Sequence, residues 1–186
     1  MLLYRVFPLL PGAVAGQPGS AEYLDPRQGR GRWDNPGRYL CWYLANDATA
    51  AVGEVFAQIE TWNDAMFEFP LIAGSRRALG IYSLPDDTPL LDLDDANALV
   101  ERALRPTQVV SPNRSLTQGI ASDIFAETMH DGTKRWEGLS WWSFQRSSWP
   151  VHCVWGSTPA CRSVEDLDTT HPAVQDAAQT LNKPVT

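Results

Sequence analysis

Apolar and polar positions along the chain alternate between short strand-like runs and helical stripes. Leu2–Phe7 is a buried run of strand length, and residues 39–45 (Tyr-Leu-Cys-Trp-Tyr-Leu-Ala) form a second, continuous one. Asn46 or Asp47 then supplies an N-cap for a helix expected from Ala48 to about Thr61. In that helix Ala51, Val55, Ile59 and Trp62 share a face, with the carboxylate of Glu54 at its edge. Met66–Pro70, Arg77–Leu84, Trp136–Ser143 and Val151–Trp155 read as strands. Helices are expected over Asp94–Leu104, from Asn113 or Ser115 to about Met129, and over His171–Leu181. Strands and helices mix without strict βα alternation, which predicts an α+β fold.

Between the first two strands runs an irregular stretch, Pro8 to Pro36, rich in glycine and proline. A connection that long inside a compact domain tends to be functional. It ends in Arg27, Arg30 and Arg32, with Arg38 just beyond, and Asp34 is the acid among them.

Length and charge narrow the classes. A chain of 186 residues is expected to fold as one domain, with residues 161–186 a helical extension of a body spanning 1–160. The net charge is −7, so bulk attraction to nucleic acid or anionic lipid is excluded, and any bound anion must meet a local arginine pocket. The basic set favours that geometry, since 13 of its 15 members are arginine, which grips phosphate with two parallel hydrogen bonds. Cys41, Cys153 and Cys161 have no ligand or disulfide spacing, and the three histidines have no partner at ligand spacing, so no metal site is expected. These thiols suit a reducing cytosol. At the N-terminus Arg5 interrupts the apolar stretch and Pro8 and Pro11 break it, which argues against a signal peptide. No run reaches membrane-spanning length.

The feature with most chemical content is Gly31-Arg32-Trp33-Asp34-Asn35-Pro36-Gly37, set before an apolar strand and a capped helix. A glycine-flanked arginine beside tryptophan suits a ligand carrying both phosphate and an aromatic ring. The same residues are equally compatible with a surface arginine, core aromatics and an exposed helical acid. Five of the eight tryptophans fall in 136–155, where alternating aromatics on strands point to core packing before sugar binding. Arg76-Arg77 reads as a solvated pair, and the six acids of 86–101 as a solvated surface.

The order of these motifs resembles the RES domain family, named for an Arg, a Glu and a Ser. Gly31 to Gly37, then Tyr39 to Ala45, then Ala50 or Ala51 with Glu54, is similar to the family's front half. Tyr4-Arg5-Val6 resembles its opening strand, and Glu137-Gly138-Leu139-Ser140-Trp141-Trp142-Ser143 resembles its Asp-Gly-Ile-x-Tyr-x-Ser motif. The resemblance implies an ADP-ribosyltransferase-like mixed sheet with flanking helices. It also implies cleavage of the nicotinamide–ribose bond of NAD by water or phosphate, in a cytoplasmic toxin held by a separate Xre-type antitoxin. NAD is then substrate and phosphate a co-substrate, with no further cofactor, and a homodimer is left open. By position Arg32, Tyr43, Glu54 and Ser143 match the catalytic set, with Trp33, Arg30, Arg5 and Trp141 as substrate contacts. A non-catalytic NAD-binding module and a protein ADP-ribosyltransferase are the alternatives. This chain departs from the pattern at Asp34 (for Asn), Trp141 (for Tyr), Glu137 (for Asp) and Arg30 (for a second Gly). Asp34 either pairs with Arg32, weakening phosphate binding, or caps a turn.

Overall fold

The computed structural model describes all 186 residues. Seven strands are ordered β4-β5-β6-β2-β1-β3-β7 and five helices accompany them, so the fold is α+β with a mixed sheet. The chain divides into two compact units, and β2 (Trp42–Ala45) contributes residues to both.

Unit one comprises residues 1–24, 44–84 and 159–186. Its frame is β1 (Leu2–Leu9) against β3 (Arg76–Ser83), antiparallel from Leu2↔Ser83 to Leu9↔Arg76. Alternation puts Leu3 and Phe7 on one face, opposite Tyr82 and Ala78, where all four are buried. Tyr82 folds back over Gly80, where a side chain would collide with its ring, and donates to the Ala21 carbonyl at 2.9 Å. α1 (Ala48–Phe56) starts at Asp47, whose carboxylate accepts from the Ala50 N–H at 2.7 Å. α5 (Pro172–Thr180) packs on α1 through Ala173, Val174, Ala177 and Ala178, small residues that allow close approach.

Several sequence expectations change here. α1 ends at Phe56, five residues before Thr61, and buries Ala50, Ala51, Val52, Gly53 and Phe56, whereas Val55 and Ile59 are only half-buried. Met66–Pro70 is not a strand. Asn63 accepts from the Ala65 N–H and starts a 3₁₀ turn over Asp64–Phe67 that buries Met66 and Phe67. β7 (Ala160–Asp166) pairs antiparallel with β3, although an edge strand with almost every side chain exposed carries no apolar alternation to announce it.

Unit two comprises residues 25–43 and 85–158. β4 (Leu90–Asp92) runs parallel to β5 (Gly138–Trp142), which is antiparallel to β6 (Pro150–Val154). Gly138 is required by space, since a side chain there would meet the Cys153 carbonyl at 2.4 Å. α2 (Ala96–Glu101), α3 (Pro106–Val109) and α4 (Arg114–Ala126) follow β4. The acids of 86–101 are exposed, and two also build local structure. Asp95 caps α2 through the Asn97 N–H, and Asp92 accepts from the Asp94 N–H and the Ser140 hydroxyl. No helix is long and apolar enough to cross a membrane.

Candidate functional site

The arginine-bearing turn before β2 lies in unit two and is organised around one carboxylate. Asp34 is 5% exposed. Its Oδ2 accepts from the backbone N–H of Gly29 at 2.7 Å and of Gly31 at 2.6 Å. Its Oδ1 accepts from the Tyr43 hydroxyl at 2.7 Å, and the Cys41 thiol lies 3.7 Å away. Four donors around one buried carboxylate supply the compensation that burying a charge demands. Of the two roles open to Asp34, the structure takes the turn cap. Arg32 instead donates from Nη1 to the Ser111 carbonyl.

The carbonyls of the same turn are held from the other side. Gln118 of α4 donates from Nε2 to the Gly29 and Gly31 oxygens at 3.1 and 3.0 Å. Asn35 donates to the Gln118 carbonyl and to the Tyr39 hydroxyl, which in turn donates to the Trp33 carbonyl at 2.7 Å. Gln28 pairs with Cys41 through both its backbone groups. Gly29 has a φ of +154°, and a side chain at Gly31 would come within 2.4 Å of both Asp34 Oδ1 and the Tyr43 oxygen. Between them Arg30 is exposed and makes no hydrogen bond or ion pair.

Tyr43 is half-buried as a residue, but its hydroxyl end is desolvated. Burial pushes its phenol well above the ordinary value, and the neighbouring Cys153, Cys41 and Asp34 add to the shift. The hydroxyl accepts from the Trp33 N–H at 2.9 Å. Trp141 presents its ring edge-on to Trp33 at 5.4 Å and to Tyr43 at 6.4 Å, so Trp141 backs the tyrosine ring and Trp33 packs behind Trp141. Trp33 is fully buried, and its indole N–H has no hydrogen-bond partner.

Ser143 follows β5 and is buried. Its Oγ accepts from the N–H of Gln145 and of Arg146, at 2.9 and 3.3 Å, which fastens the turn after the strand. The other tryptophans of the segment have structural partners. Trp136 donates to Glu127 at 2.8 Å and Trp155 to the Trp136 carbonyl at 3.1 Å. Glu127 also takes a two-pronged contact from Arg102, at 2.8 Å on each oxygen. Burial raises the Glu127 pKa, but Arg102, Trp136 and Arg135 outweigh it and hold the carboxyl below its usual range.

Arg5 and Glu54 lie in unit one. Arg5 stands on β1 opposite Gly80 and donates to the Tyr23 carbonyl at 3.3 Å. Glu54 is exposed on α1, next to the buried Gly53. A cavity of about 370 Å³ opens at the start of β3 and is lined by Arg76, Arg77, Asp166 and Asp168 among others. None of the eight residues singled out in the sequence lines it. Arg76 pairs with Asp64 and Glu68, while Arg77 has only the rings of Phe56 and Phe69, at 5.5 and 5.1 Å.

The structure thus brings Trp33, Tyr43 and Trp141 into one hydrogen-bonded and ring-packed group in unit two, on and behind the turn that also carries Arg30 and Arg32. Sequence reasoning missed Gln28 and Gln118 and gave Asn35 no role within its motif, because side-chain amides in loops and on a polar helix face give no signal until their partners are known. No group of three or more His, Cys, Asp or Glu is placed to hold a metal.

An α+β chain with a mixed sheet and a pinned arginine turn before β2 is the class that fold and site define. The RES domain family model matches residues 2–176, and the chain belongs to that family. Among solved structures it resembles a chain of the M. tuberculosis MbcT–MbcA toxin–antitoxin complex. The TM-score is 0.62 at 19% identity, over 95% of this chain and 88% of that one. No curated protein matches.

Proposed function

We propose that this protein cleaves the nicotinamide–ribose bond of NAD, with water or phosphate as acceptor, as the toxin of a toxin–antitoxin pair acting in the cytoplasm. The observation that carries the reading is the family match over residues 2–176, which includes the arginine turn, the β2 tyrosine, Glu54 and Ser143. The likeness to a chain from a toxin–antitoxin complex supports a separate antitoxin, of the Xre type that the family resemblance implies.

The chemistry follows from the substrate. In NAD the nicotinamide is a cationic ring that takes the bonding pair and leaves as a neutral amide, so no general acid is needed, and the transition state is oxocarbenium-like. Glu54 supplies the negative charge that this cation requires and grips a ribose hydroxyl. At about 4 Å and an effective dielectric of about 20, one carboxylate stabilises a unit positive charge by about 4 kcal/mol, roughly 10³ in rate. Arg32 and Arg30 take the pyrophosphate. Tyr43 packs on the nicotinamide or orients the ribose, with Trp141 against its ring, and Ser143 hydrogen-bonds the substrate. Arg5 serves the NAD contact from β1.

A non-catalytic module was favoured by one idea, that Asp34 neutralises Arg32. Asp34 is held by Gly29, Gly31 and Tyr43 instead, which removes that ground.

Mass analysis of NAD incubated with the purified protein, with and without phosphate, tests the reaction and names the acceptor. Release of nicotinamide is expected, and Glu54→Gln should lower the rate by roughly 10³. Intact NAD after long incubation in both conditions would sink the proposal. Label from NAD appearing on lysate protein would move the acceptor to a side chain. Recovery of a small DNA-binding protein with the tagged chain, in a form that blocks turnover, is the expected sign of the antitoxin.

A further inference from the structure

A carboxylate and an amide are nearly the same shape, but they demand opposite things of a tyrosine hydroxyl. Asp34 offers acceptors only, and every neighbour aimed at it is a donor: two turn amides on one oxygen, the Tyr43 hydroxyl and the Cys41 thiol on the other. A tyrosine hydroxyl has one proton to donate. Here that proton goes to Asp34, and a lone pair of the same oxygen is taken by the Trp33 N–H. An amide at position 34 can accept from Gly29 and Gly31 only by turning its NH2 toward Tyr43. The hydroxyl must then point its proton elsewhere. The acid therefore decides both the geometry of the turn and the direction of the Tyr43 proton.

We propose that Asp34 is a positioning residue: it holds the Tyr43 hydroxyl out of the reaction, so that Tyr43 meets the ligand with its ring. It also fixes the Gly29–Gly31 amides on either side of Arg30, so that this unpaired guanidinium is delivered to a ligand phosphate. The inference rests on the NAD reading for its ligand, but the clamp itself is a property of the fold. Gly31 reports on the same device, because a methyl group there would push against the two oxygens whose contact the clamp depends on.

The test is a double-mutant cycle on the full chain with Asp34→Asn, Tyr43→Phe and the pair. It is read by NAD turnover and, separately, by amide hydrogen exchange at Gly29 and Gly31. Each single change is expected to raise KM about tenfold, with the larger part of its effect in KM, not kcat. The double variant should be no worse than either single one, because both break one contact. Exchange at Gly29 and Gly31 should quicken in Asp34→Ala, which removes the oxygen that both amides share. Arg30→Ala should raise KM as well and leave that exchange unaltered. Tyr43→Phe acting on kcat with KM unchanged would put the hydroxyl on the reacting atoms and overturn the proposal, as would multiplicative losses in the pair. If the wild-type chain leaves NAD intact, the NAD reading fails, and the exchange measurement still decides the clamp. Unchanged exchange in Asp34→Ala overturns it. Should Asp34→Asn not fold, Gly31→Ala replaces it in the same cycle.

Discussion

The two units treat polar groups in opposite ways. In unit one the buried polar side chains are Ser20 and Ser75, small hydroxyls with partners close in sequence. Its Arg76 pairs with Asp64 and Glu68 are exposed. In unit two Asp34, Thr117, Ser143 and His152 are all buried, and the Arg102–Glu127 pair is half-buried. A buried polar group is costly unless it is fully partnered, so it persists where it organises something an apolar side chain cannot. At Asp34 that something is a turn carrying two arginines. Unit one behaves as a frame with charges on its skin, whereas unit two also buries a carboxylate and an imidazole.

The sharpest way to break this contrast is Asp34→Ala. It leaves two turn amides and the Tyr43 hydroxyl without an acceptor, and a loss of about 3 kcal/mol is expected. In urea the midpoint should fall with the slope unchanged. A loss under about 1 kcal/mol would mean that the network is not cooperative.

Ion pairs give the next comparison. Arg102→Met strands a half-buried Glu127 with Trp136 and the more distant Arg135, and should cost about 2 kcal/mol. Arg76→Met removes only exposed pairs and should cost less than about 1 kcal/mol. Arg77→Met loses two ring contacts and no ion pair, so its effect should stay within about 1 kcal/mol. Equal costs at Arg102 and Arg76 in chemical denaturation would erase the difference between the units.

His152 adds a smaller effect that depends on pH. Burial pulls its pKa down from 6.5 to about 4, and the negative charge of Asp92 only partly opposes this. On acidification the unfolded chain takes up this proton first. The stabilisation is therefore complete above about pH 6.5 and is lost as pH falls toward 4. Between pH 7.5 and 5.5 the loss attributable to His152 is on the order of 1 kcal/mol. His152→Gln should flatten that slope in a urea series, and an unaltered slope would show that the imidazole is not the group responsible.

What was legible in the sequence, and what was not, follows the range of the interactions involved. β1, a strand expected at 39–45 and found at 42–45, a cap at Asn46 or Asp47 that falls on Asp47, and the C-terminal helix could be read, because apolar period and capping depend on residues a few positions apart. The segment 66–70 was misread because an apolar pair before a proline looks alike in a strand and in a 3₁₀ turn. Only the Asn63 cap and the burial of Phe67 distinguish them. β7 was missed because its pairing with β3 is made by backbone groups that leave no mark on side-chain pattern.

By itself the sequence determined the family, the α+β class and the position of an arginine turn ahead of β2, since each rests on residue types in order along the chain. Only the tertiary structure decided what Asp34 does. Two residues from Arg32, it has the spacing of an ion pair, yet a buried carboxylate goes where donors converge. That convergence exists only once β2 brings the Tyr43 hydroxyl back to the Gly29–Gly31 amides.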